Sequence, residues 1–119
     1  SVTSGGAQIA GPSRSPGFLR WDGEVVAFVS SADGVVAGDT NGFADLFARS
    51  ICWSTGPCTA TTTRLSIGPN GVQPNGASGE PRMNHDPWGA YVATFTTDAT
   101  NLETGGVAPP FFGNIYRAE

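Results

Sequence analysis

The chain contains an internal repeat. Residues 6–13 (GAQIAGPS) return as residues 71–78 (GVQPNGAS) at an offset of 73 − 8 = 65, and residues 25–27 (VVA) return as residues 91–93 (YVA) at an offset of 92 − 26 = 66. A repeat of this length holds several strands, and such units bury their apolar faces by packing against one another. The repeat therefore predicts a ring or a stack of similar units.

Composition restricts the fold class. The 119 residues include 17 glycines and 9 prolines, which divide the chain into segments too short for long helices. An all-β domain is expected, and one this small needs support from a partner, an ion or a disulfide. The net charge of −4 with only six Lys and Arg residues argues against nucleic acid as a partner. No apolar run is long enough to cross a membrane.

Alternating and β-branched runs between turn signals predict a short antiparallel meander in each copy. The predicted strands are 18–20, 24–30, 45–50 and 63–67 in the first copy, and 82–84, 90–96 and 114–117 in the second.

The repeat also predicts how the chain is divided. Residues 1–17 are an outer-strand remnant with its connecting loop, residues 18–67 the first unit, and residues 68–119 a second unit without its outer strand. Because residues 1–3 align with residues 66–68, we expect the N-terminus to add to the outer edge of a neighbouring protomer's second unit.

Two stretches of the first copy, residues 22–31 (DGEVVAFVSS) and 38–49 (GDTNGFADLFAR), resemble a repeat of the TolB-type, WD-repeat-like β-propeller family. The second copy agrees over residues 80–81, 89–93 and 97–102 and departs over residues 105–112. The resemblance implies an all-β chain of two four-stranded blades, with inner strands that line a channel. Two blades do not close a ring, so the chain is either a piece of a longer propeller or one protomer of a six-bladed homotrimer without open strand edges.

Asp39, Asn41 and Asp45 place three oxygen-bearing side chains around Gly42, an arrangement similar to calcium-binding loops. Calcium is therefore the expected cofactor. The alternative is that Asp39 and Asn41 only cap a turn through hydrogen bonds to the backbone.

The segment 80–86 is the most polar predicted inner-strand region. Within it, Glu80, Asn84 and the single histidine, His85, are the candidate catalytic residues, because three protomers around one axis would bring three copies together. The alternative for His85 is a solvated turn residue beside Asp86. No nucleophile-elbow motif is present.

Cys52 and Cys58 flank a loop with a Gly-Pro break, which favours a disulfide and hence a secreted or periplasmic protein. The alternatives are two free thiols or a cytosolic redox pair. The spacing is not Cys-x-x-Cys, which speaks against the redox pair.

Trp21 and Trp88 fall in predicted hairpin turns, with Arg20 and Asp86 beside them. Large aromatic side chains at one end of a blade offer a stacking surface for a small molecule or saccharide. The alternative is that they pack in an interface between protomers.

These observations predict a secreted, non-catalytic binding or assembly module, calcium-stabilised and homo-oligomeric. The alternative is a metal-dependent hydrolase, by resemblance to six-bladed propeller lactonases and phosphotriesterases, with Glu80, Asn84 and His85 around a channel ion. A third possibility is an incomplete piece of a longer protein without a function of its own.

Overall fold

The computed structural model describes residues 2–3, 5–18, 25–52, 57, 59–85, 91–102 and 116–118. These residues form two antiparallel sheets and no α-helix, which confirms the all-β prediction for the described part of the chain. Sheet 1 has the order β1-β2-β3-β4 and sheet 2 the order β5-β6-β7. The strands are β1 (Ser13–Phe18), β2 (Val25–Ser30), β3 (Asp45–Ser50), β4 (Thr62–Arg64), β5 (Ser78–His85), β6 (Tyr91–Thr97) and β7 (Tyr116–Ala118).

The first strand of each sheet differs from its prediction. The sequence pattern predicts strands at 18–20 and 82–84, but β1 begins at Ser13 and β5 at Ser78, so both strands start earlier and include a proline. The pairing shifts between Arg14 and Gly17 in β1 and between Gly79 and Arg82 in β5. Each proline lies within this β-bulge, where the missing N–H interrupts no paired position.

The two sheets repeat one strand-pairing pattern. Ser13 pairs with Ser30 in sheet 1, and Ser78 pairs with Thr97 in sheet 2. The offset is therefore 65 residues along the first strands (78 − 13) and 67 along the second strands (97 − 30). The sequence-based offset of 66 for the second strands was wrong by one residue. The paired Phe18 and Val26 are 26 − 18 = 8 positions apart, whereas their counterparts Met83 and Ala93 are 93 − 83 = 10 positions apart.

A one-residue slip in a strand exchanges its two faces, so this correction changes which side chains are equivalent. With an offset of 67, Val26 corresponds to Ala93, Ala27 to Thr94 and Phe28 to Phe95. Ala27 and Ala93, which the sequence alignment matched, therefore lie on opposite faces of their units.

The two sheets share one hydrophobic core. Ala27, Val29 and Leu46 on one face of sheet 1, here called its front face, cluster with Phe95 and Leu102 from the second copy. Strand β5 contacts β1, β2 and β3 across the interface. The face of sheet 2 that carries Phe95, its back face, therefore covers the front face of sheet 1.

The back face of sheet 1 has a second, smaller cluster. Buried Phe47 packs there with Ala32 and Val35, and half-buried Phe28 stacks on Phe47 with ring centroids 5.6 Å apart. Ile9 of the N-terminal segment covers part of this cluster.

The N-terminal segment has the same turn as the connection between the sheets. The Thr3 N–H donates to the Ala7 carbonyl at 2.9 Å, and the Gly68 N–H donates to the Val72 carbonyl at 2.8 Å, again 65 residues later. The carbonyl of Thr3 accepts from the Arg49 guanidinium at 2.8 Å, so within one chain this segment lies against sheet 1. Donation of residues 1–4 to a neighbouring protomer stays a prediction.

The only helical segment in the described part of the chain is a 3-10 turn at Pro69–Gly71, so nothing helical there could span a bilayer.

Candidate functional site

A polar cavity lies beside the first strands of the two sheets. It has a volume of about 340 Å³ and is lined by Pro16 of β1 and by Glu80, Pro81 and Arg82 of β5. Both lining segments belong to the β-bulges, so the repeated irregularity shapes this cavity. A carboxylate and a guanidinium at one cavity suit a ligand with several hydroxyl or charged groups.

Backbone strain accompanies Glu80. Its φ is 49°, in the left-handed region that non-glycine residues avoid at a cost of about 1–3 kcal/mol. Glu80 is exposed at the cavity, so burial of its side chain does not offset this cost. Arg82 is also exposed, and its guanidinium donates to the Pro81 carbonyl at 3.3 Å.

Only part of the predicted catalytic and ligand-binding set lies in the described structure. Glu80 lines the cavity, whereas Asn84 and His85 are placed by their backbone at the far end of β5. The residues of the predicted aromatic surface lie outside the described residues: Arg20, Trp21, Asp86 and Trp88.

The predicted calcium ligands do come together, around a residue that the sequence analysis missed. The guanidinium of Arg64 lies 3.1 Å from the Asp45 carboxylate and 3.4 Å from the Asp39 carboxylate. It also donates to the side-chain oxygen of Gln73 at 3.1 Å. Asn41 donates to the Asp45 carboxylate at 3.0 Å, so all three predicted ligands belong to this Arg64 cluster.

Local backbone structure positions the Arg64 cluster. Asp45 begins β3, and its second carboxylate oxygen accepts from the Ser66 hydroxyl at 2.8 Å. The side-chain oxygen of Asn41 accepts from the Phe43 N–H at 3.2 Å and caps the turn, which agrees with the alternative interpretation of this loop. Successive side chains of β4 point to opposite faces, so Thr62 and Arg64 are buried and Thr63 is exposed. Arg64 therefore points into the protein.

The electrostatics of the Arg64 cluster are not fully balanced. Burial raises the pKa of Asp39 above its usual value, and the Arg64 guanidinium acts against this by lowering it. One oxygen of Asp39, Oδ2, and the Nε of Arg64 are buried without a hydrogen-bond partner.

The cation opposite these carboxylates is thus an arginine of the same chain. The described residues contain no group of three or more His, Cys, Asp or Glu side chains arranged to hold a metal ion. The chemistry of the cluster is that of a buried ion-pair network, which links the loop at 39–45 to β4 and to the connection between the sheets. Calcium binding there stays a prediction.

Cys52 is half-buried just after β3 and is not a free thiol. Its predicted partner, Cys58, lies outside the described residues, so the pairing stays a prediction.

No protein-family model, curated protein or solved structure shows a significant match to this chain.

Proposed function

We propose that this chain is a secreted β-propeller module that assembles with its own kind and binds a small molecule or saccharide. The two sheets are its blades, the second without an outer strand, and three chains complete a six-bladed ring. The observation that supports the proposal most strongly is the repeated strand pairing, including the bulge, in two sheets that pack back face on front face. Repeated packing of this kind is how propeller blades build a ring.

The cavity beside β1 and β5 is the proposed ligand site. In a closed ring the first strands are innermost, so the cavity would face the channel and recur in each protomer. Glu80 accepts hydrogen bonds from ligand hydroxyls, and Arg82 donates them. A cavity of about 340 Å³ is within the usual range for small-molecule sites.

The test is ligand-observed NMR on the intact chain with mono- and oligosaccharides of neutral, acidic and amino-sugar types. Glu80→Gln should weaken binding by about 1–3 kcal/mol, because a charged hydrogen-bond acceptor becomes neutral. Asp98→Asn, at an exposed position outside the cavity, is the matched control. Binding that is unchanged in Glu80→Gln and weakened in Trp21→Ala or Trp88→Ala would move the ligand site to the aromatic surface.

A metal-dependent hydrolase is the second candidate. The observation that favours it is the strained backbone of Glu80, whose carboxylate lies at a polar cavity, since strained backbone is concentrated at active sites. In this case Glu80 would hold a channel ion. Asn84 and His85, the other two predicted catalytic residues, are roughly 13–17 Å farther along β5, too far to bind the same ion. Glu80→Gln should then abolish hydrolysis of lactone or phosphotriester substrates without changing the assembly, whereas His85→Ala should leave it largely intact. Wild-type protein with no hydrolytic activity after addition of Ca²⁺ or Zn²⁺ would remove this candidate.

A further inference from the structure

The back face of sheet 1 carries an apolar groove of about 330 Å³. It is lined by Val2, Ser13, Val26, Phe28, Arg49 and Ile51. Val26, Phe28 and Ile51 are half-buried, so they supply apolar surface that the chain covers only in part. The Arg49 guanidinium is engaged by the Thr3 carbonyl and by the Thr62 hydroxyl at 2.9 Å, which holds its charge within the sheet.

The corresponding face of sheet 2 is covered. The register makes Ala93 the counterpart of Val26 and Phe95 the counterpart of Phe28, and Ala93 and Phe95 are only 1% and 3% exposed. Phe95 is buried by the front face of sheet 1. The same kind of back face is thus covered in one unit and partly open in the other.

The front face of sheet 2 is only partly covered at its described residues. The counterparts of front-face residues Ala27 and Val29 are Thr94 and Thr96, which are half-buried. Their hydroxyls donate within sheet 2, to the Arg82 carbonyl at 3.5 Å and to the Gly79 carbonyl at 3.2 Å. A partner that covers this face therefore leaves no threonine hydroxyl without a hydrogen bond.

We propose that the back face of sheet 1 docks on the front face of sheet 2 of a second copy of this chain. The contact extends the packing that already joins the two sheets within one chain. It is a head-to-tail interface, in which each chain offers one of two different faces and which closes into a ring or continues as an open series. The inference rests on the assembly part of the proposed function, and it specifies the two faces.

Each face can be blocked separately. Val26→Arg places a charge in the groove, and Thr94→Arg places one on the opposite docking face. Each should reduce self-association at least tenfold, measured by sedimentation equilibrium and native mass spectrometry. Val72→Arg is the matched control, because Val72 is an exposed valine that lines neither face. Circular dichroism should show folded protein in all three variants.

Mixing the two blocked variants provides the decisive test. Val26→Arg retains an intact sheet 2 face and Thr94→Arg retains an intact groove, so the mixture should form a one-to-one heterodimer and no larger species. This readout requires both variants to be folded and to meet through the two named faces.

A wild-type chain that stays monomeric would overturn the inference, as would assembly that Val26→Arg leaves unchanged or a mixture that gives no heterodimer. An assembly other than three chains, with the heterodimer present, would refute the trimeric ring and support the docking. A trimer that is insensitive to Val26→Arg would support the trimeric ring and refute the docking of these two faces. Equal loss of assembly in Val72→Arg would also contradict the assignment of the faces.

Discussion

Replacement of Arg64 by methionine should lower the free energy of unfolding by about 3–5 kcal/mol at neutral pH. The Arg64 side chain is 5% exposed and its guanidinium contacts two buried carboxylates, at 3.1 Å and 3.4 Å. Methionine retains most of the packing of the aliphatic stem but removes the charge. Asp39 and Asp45 would then be buried without their cation, and an uncompensated buried charge is far more costly than a lost surface ion pair.

The loss should depend on pH through Asp39. Burial already raises the pKa of Asp39 in the folded protein, and Arg64 is the positive charge that lowers it. Without Arg64 this pKa rises further, so the folded state binds a proton that the unfolded state has lost. An acid whose pKa is raised in the folded state lowers the stability of the fold as the pH rises. The lost stability returns as the pH falls towards 3.8, the ordinary pKa of this side chain.

Urea unfolding followed by circular dichroism should therefore show a smaller difference between wild type and Arg64→Met at about pH 4 than at about pH 7. Arg14→Met, at an exposed arginine, is the control and should change stability by less than about 0.5 kcal/mol. A loss below about 1 kcal/mol at neutral pH, or an equal loss at both pH values, would refute the argument. Repeating the wild-type unfolding curve with Ca²⁺ and with a chelator tests whether calcium binds. If it does, the free energy of unfolding should rise with the Ca²⁺ concentration.

Two further predictions concern covalent and backbone constraints. Cys52 and Cys58 should show no titratable thiol in non-reduced protein, and reduction should cost about 2 kcal/mol because the closed loop is short; two reactive thiols would disprove the bridge. Gly76→Ala should destabilise by about 1–3 kcal/mol, because its Cβ would lie 2.7 Å from the Asp98 carbonyl carbon. Gly79→Ala, which has an open position with its nearest neighbour at 4.0 Å, should be tolerated far better, and equal losses at the two sites would contradict this reason.

Much of the sheet structure could be predicted from the sequence because its strands have clear alternation. The predicted strand at 45–50 is the observed β3, and the predicted strand at 24–30 differs from β2 by one residue. The first strands were harder, because Pro16 and Pro81 lie inside them at bulges. The sequence alignment of the second strands was one residue off, because the connection from Met83 to its partner Ala93 is two residues longer than the one from Phe18 to Val26. Only strand pairing reveals such a difference.

The candidate sites were only partly predictable. The spacing of Asp39, Asn41 and Asp45 indicated correctly that these side chains lie together, but spacing does not identify the cation they face. Arg64 is about twenty residues away along the chain and reaches them only through strand pairing. The run Thr62-Thr63-Arg64 does not show from sequence which face Arg64 takes, because threonine occupies both alternating positions. The burial of Thr62 and Arg64 places it on the inner face, where a charged side chain requires a buried partner.

The packing of sheet 2 on sheet 1 is the central claim, and nuclear Overhauser contacts to the Phe95 ring test it most directly. On methyl-labelled protein, the account predicts contacts from this ring to methyl groups of Val29 and Leu46 on the front face of sheet 1. The Val26→Arg variant, which is expected to be monomeric, should retain these contacts, because they lie within one chain. A Phe95 ring whose contacts are confined to its own sheet would contradict the account.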